Sequence, residues 1–76
     1  MTSLSPCKRI KFIKNLKKLG FHGPYSGSRH QFMIYNEHRM AIPTNKEYSV
    51  PQTKMMLQEV SSILGKKLSA DEWEKY

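Results

Sequence analysis

Three histidines, His22, His30 and His38, stand in a chain whose other charged side chains are mostly lysine and arginine. The histidines are isolated from one another, the carboxylates cluster in the C-terminal half, and no His-Glu-x-x-His spacing occurs. A dedicated metal site is therefore not expected. A serine nucleophile lacks both a Gly-x-Ser-x-Gly elbow and a convincing third partner. Gly20, Gly23 and Gly27 are too spread, and too poorly placed against a helix, to grip a phosphate. What remains is histidine acting with cations, and for RNA cleavage that is chemically sufficient. RNA supplies its own nucleophile, the 2′-hydroxyl. An enzyme need only take up that proton, orient the attack on the adjacent phosphate and stabilise the added negative charge. An unperturbed imidazole, with a pKa of about 6.5, suits the first task, and Lys or Arg suits the last. A lone strand histidine is nonetheless more often structural than catalytic. The surroundings of His30, in "GSRHQFMIY" (residues 27–35), must decide.

Charge distribution favours a polyanionic partner. The net charge is +7. Residues 1–46 carry nine basic side chains against the single acid Glu37, a net +8, whereas residues 47–76 carry four against five, a net −1. A one-sided basic surface attracts nucleic acid, with an affinity that falls as salt rises. Excess Lys is equally a common solubility device. A chain of 76 residues makes one domain with no room for a deep enclosed pocket. The lone Cys7 has no disulfide partner and no Cys-x-x-Cys pair exists for zinc, so packing alone must hold the fold. "MTSLSPCKRI" lacks the apolar run of a signal peptide, and no stretch approaches the roughly 20 apolar residues of a membrane span. A soluble, cytoplasmic protein is expected.

The elements that must position His30 follow from pattern. Ser5 followed by Pro6 predicts a helix start. Ile10, Ile13 and Leu16, with Leu19 or Phe12, recur at helical spacing among lysines, and Gly20 closes the helix. "FHGPYSGS" contains a Gly-Pro pair, so a first strand there is short and at an edge. "RHQFMIY" and "HRMAIP" are rich in strand formers and flank Asn36-Glu37, which offers a tight turn. With those two residues central, Tyr35 lies opposite His38, Met33 opposite Met40 and Gln31 opposite Ile42. His30, Phe32, Ile34, Arg39 and Ala41 then share the other face. Both faces are partly apolar, so alternation leaves the buried one open. Ser49 and Gln52 have capping-box spacing, Pro51 sits in the first turn, and Met56, Leu57, Val60, Ile63 and Leu64 form a stripe ending at Gly65. Ser69 with Glu72 opens a short terminal helix carrying Trp73 and Tyr76. The order predicts an α+β domain with helices over one sheet face and the other face open.

In their order, "LKKLGF", "GSRHQF", the "IP" strand end and "VPQTKMMLQEVSSILG" resemble the HicA, or YcfA-like, family of bacterial mRNA interferases over about residues 8–65. The resemblance implies a double-stranded-RNA-binding-domain-like fold: a helix, three antiparallel strands and a helix, with a short extra C-terminal helix here. It implies a single toxin domain over residues 1–76, a metal-independent and cofactor-free endoribonuclease that cleaves mRNA and arrests growth. Its partners would be the mRNA substrate and a HicB-type antitoxin in a hetero-oligomer, with no membrane and no DNA binding by this chain alone. The family's essential histidine falls on His30, with Gly27 and Ser28 in the turn before it. Many relatives carry a second histidine where this chain has Arg29, and another after the Pro, where it has Thr44 and Asn45. The acid that protonates the departing 5′-oxygen is thus unassigned, His22 and His38 being the only other histidines.

His30 is accordingly the expected general base. Ser28 reads as a turn cap or a phosphate contact, and Arg29, Arg39 and Lys46 as phosphate helpers. Lys11 and Lys14, with Lys8 and Lys18, can track an RNA backbone, although a solvated helix face explains each as well. Tyr25, Phe32 and Tyr35 are candidates for base stacking or core packing. The runner-up is a non-catalytic RNA-binding module, and the third reading an interaction domain for an acidic protein.

Overall fold

A computed structural model describes residues 4–76. In chain order the elements are β1 (Cys7–Lys8), α1 (Arg9–Lys18), β2 (His22–Tyr25), β3 (Gln31–Tyr35), β4 (His38–Ile42), β5 (Glu47–Tyr48), α2 (Val50–Leu64) and α3 (Ala70–Glu74). Strands β2, β3 and β4 form an antiparallel sheet in that spatial order, and β1 pairs with β5 in a separate two-stranded ribbon. The domain is α+β.

The β3–β4 hairpin follows its pattern. Asn36 takes a φ of 54°, the left-handed conformation that Asn tolerates best after Gly. Tyr35 pairs with His38, Met33 with Met40 and Gln31 with Ile42. Met33, Met40 and Ile42 are fully buried, which settles the inward face. Phe32 and Ile34 are half-buried, and Arg39 and Ala41 exposed, on the outer face. Strand β2 lies at the sheet edge and pairs irregularly between His22 and Tyr25, as a Gly-Pro strand short of an amide donor must.

Helix α1 starts later than its local signals predict. Ser5 and Pro6 lie outside any element, and the N-cap is Lys8, which makes no side-chain cap. Tertiary pairing overrides the cap signal here: Cys7 sits opposite Tyr48 and Lys8 opposite Glu47. The buried side of the helix is Phe12, Ile13, Asn15 and Leu16, and Ile10, expected in the stripe, is 80 % exposed. At the other end Gly20, with φ 108°, completes a Schellman turn: the Phe21 N–H donates to the Leu16 carbonyl and the Gly20 N–H to that of Lys17.

Strand β5 has no counterpart in the sequence expectations. It brings the fully buried Tyr48 against Phe12, edge to face at 5.5 Å, while Trp73 of α3 also packs against Phe12, at 4.6 Å. In α2 the N-cap Ser49 accepts from the Gln52 N–H, and Met56, Leu57 and Val60 are buried while Ile63 and Leu64 pack at the margin. The Ser69 and Glu72 capping box forms with both of its bonds. Among the described residues no helix is long and apolar enough to cross a membrane.

Candidate active site

Three segments distant in sequence converge at the end of the sheet where β3 begins. The first turn of α1 contributes Lys8, Arg9 and Ile10. The β2–β3 loop contributes Ser26, Gly27, Arg29 and His30, followed by Gln31. The segment after β4 contributes Thr44, Lys46 and Glu47. Together they line a groove of about 850 Å³. Its lining carries the cations Lys8, Arg9, Arg29 and Lys46 against the single carboxylate Glu47, so an anion entering it meets a net positive field. Helix α1 opens on this groove without an acidic residue in its first turn and without a side-chain cap, so the positive end of its dipole adds to that field.

His30 is exposed, in the bend that immediately precedes β3 rather than on the strand itself. Its place is held by the backbone on both sides. Gln31 enters the ladder opposite Ile42, and Gly27 lies so near the His30 carbonyl that a Cβ at 27 would stand 2.5 Å from that oxygen. Only glycine admits this approach. The glycine of the "GSRH" stretch therefore shapes the loop that presents the imidazole.

Arg9 is the groove residue that sequence reasoning missed. Its Nε–H donates to the Pro43 carbonyl at 3.1 Å, its Nη2 donates to Gln31 Oε1, and its backbone N–H donates to the Lys46 carbonyl at 2.9 Å. One half-buried guanidinium thus clamps the start of α1, the start of β3 and the exit of β4. The Pro43 carbonyl accepts a second bond, from the Tyr48 hydroxyl at 2.8 Å. That gives the "IP" strand end a structural purpose. Burial pushes the Tyr48 phenol above its ordinary value, opposed by the charge of Arg9. Donation to a carbonyl, which requires the O–H, works in the same direction as burial.

The sequence candidates divide among three places. His30, Arg29 and Lys46 meet in the groove, with Ser28 exposed in the same loop but outside the lining. Lys11 and Lys14 belong to a neighbouring hollow on α1 with Lys18 and Tyr76, which shares Lys8 and Ile10 with the groove. Arg39 lies on the outer face of the sheet, its guanidinium 4.8 Å from the centre of the Phe32 ring. Of the aromatic candidates, Tyr25 and Phe32 are outside and 5.8 Å apart, while Tyr35 packs on the buried Phe21 at 5.2 Å. Neither His22 nor His38 lines the groove. His38 pairs with Tyr35, four strand positions from Gln31, or about 14 Å along β3. Among the described residues no three His, Cys, Asp or Glu side chains gather as a metal site would need.

The chain matches no protein-family model, no characterised protein and no solved structure.

Proposed function

We propose that this protein is an endoribonuclease of the mRNA-interferase type, acting through His30 in the basic groove. One observation carries the reading: an exposed histidine and four cations from three separate segments share one solvent-open groove. The succession of a helix, three antiparallel strands and a helix supports a double-stranded-RNA-binding-domain-like fold, in keeping with the HicA resemblance. His30 takes the proton of the 2′-hydroxyl as that oxygen attacks the adjacent phosphorus. Arg29, Lys46 and Arg9 stabilise the charge that builds on the phosphoryl oxygens. With no second histidine in the groove, the departing 5′-oxygen takes its proton from solvent. An antitoxin of HicB type would silence the protein by laying an acidic surface over these cations.

The lack of a second histidine favours one other reading, a non-catalytic RNA-binding module. Incubation of the purified protein with single-stranded RNA in EDTA separates the two. Wild type is expected to cleave, and His30→Ala to lose on the order of 10²- to 10⁴-fold in rate. Intact RNA with the wild type would leave only the binding module. Undiminished cleavage by the variant would keep a ribonuclease and remove His30 from its role.

A further inference from the structure

The outer face of the sheet carries a cluster that neither the core nor the His30 groove uses. Cross-strand pairing puts His22, Tyr25, Phe32, Ile34, Arg39 and Ala41 on this one face, without a carboxylate among them. Tyr25 is 47 % exposed. Its ring and that of Phe32 lie 5.8 Å apart and inclined by 39°, and the Arg39 guanidinium covers Phe32 at 4.8 Å. Three flat groups, one cationic, are thus held together with Tyr25 and Arg39 facing solvent. The cluster is also continuous with the groove. Gly27 lines the groove, and a Cβ built on it would stand 3.4 Å from the Phe32 ring, so the ring borders the loop that presents His30.

We propose that Tyr25, Phe32 and Arg39 form a stacking platform for the bases of single-stranded RNA whose phosphates lie in the His30 groove. The proposal rests on the ribonuclease reading and adds the residues that hold the bases. Aromatic rings and arginine planes bind unpaired bases by their faces, and paired bases in a duplex already stack on one another and offer none. The positive charge of Arg39 and of the adjoining groove matches a nucleic acid strand.

The test is the binding of a labelled dodecamer of 2′-O-methyluridine, whose blocked 2′-oxygen prevents cleavage, by fluorescence anisotropy across a salt series. Its duplex with 2′-O-methyladenosine serves as the comparison. Wild type is expected to prefer the single strand. Tyr25→Leu should weaken single-strand binding about tenfold, the loss of one stacked base. Arg39→Lys, which keeps the charge and removes the plane, should weaken it several-fold. In both variants the dependence on salt should keep its slope, because the phosphate contacts remain. Both positions are exposed, so folding is preserved, and thermal melting checks this. Wild-type affinity in both variants, with binding lost in Arg29→Ala, would overturn the platform and leave the groove reading intact. So would a protein dimer that dissociates in Tyr25→Leu while RNA affinity stays constant, which assigns the face to a second copy. A wild type that binds neither probe would overturn the ribonuclease reading and the platform together.

Discussion

A methyl group at residue 27 would stand 2.5 Å from the His30 carbonyl oxygen, closer than any real Cβ approaches. Gly27→Ala must therefore push the His30 backbone aside. The atom in the way is backbone rather than the end of a flexible side chain, so the loop itself must shift. Misplacing a catalytic group by about 1 Å can lower a rate about a hundredfold. On the proposed ribonuclease reading, the expected outcome is a lowered melting temperature and, for the protein still folded, RNA cleavage reduced by roughly tenfold to a hundredfold. Wild-type cleavage by this variant would show that the placement of His30 is immaterial. His30 was legible only with the family resemblance added to its residue type, and Arg29 and Lys46 as basic residues named beside it. Arg9 was not, because what distinguishes it from other cations is its partners, and these lie 22 and 34 residues further on. No local spacing encodes that clamp.

Among the elements, the hairpin was the most legible. Side-chain alternation and an Asn at the turn set its register without help from the rest of the fold. Which face turned inward was not legible, because both faces carry apolar residues. The match to the helices decided it, burying Met33, Met40 and Ile42. The start of α1 was misleading for a related reason. Ser5 and Pro6 are good local signals, but pairing of Cys7 and Lys8 with β5 holds the chain extended two residues beyond them. Starting at Arg9, the helix turns Phe12 and Leu16 inward and Ile10 outward. Truncation measures that difference directly. Met40→Ala should cost about 2–5 kcal/mol, a large part of the total stability of so small a domain, roughly 4–11 kcal/mol. Ile10→Ala should stay within about 0.5 kcal/mol. Midpoints of urea unfolding for the two variants check both values, and an equal loss would contradict the inward face assigned here.

At the scale of the whole molecule, stability should fail on the alkaline side. Burial raises the Cys7 thiol above its ordinary value of 9.0, with Lys11 opposing, and the Tyr48 phenol above 10.0, with Arg9 opposing. Above about pH 9 the unfolded chain releases these protons while the folded protein retains them. The unfolded state then binds fewer protons, and stability falls as pH rises. Thermal melts from pH 7 to 11 should show little change from these two groups up to about pH 9 and a decline beyond. Cys7→Ala should remove the earlier part of that decline, and an unaltered profile would assign it elsewhere. The ribbon of β1 and β5 has one more effect, on the timing of synthesis. A chain leaving the ribosome N-terminus first presents His30 well before Glu47 and Tyr48. Until those two residues can join Cys7 and Lys8, the nascent polypeptide holds its imidazole without the β1–β5 pairing and without Glu47 in the groove lining. On the proposed ribonuclease reading, a translation product that stops short of residue 47 lacks the strand that pairs with Cys7 and Lys8 and should show no RNA cleavage.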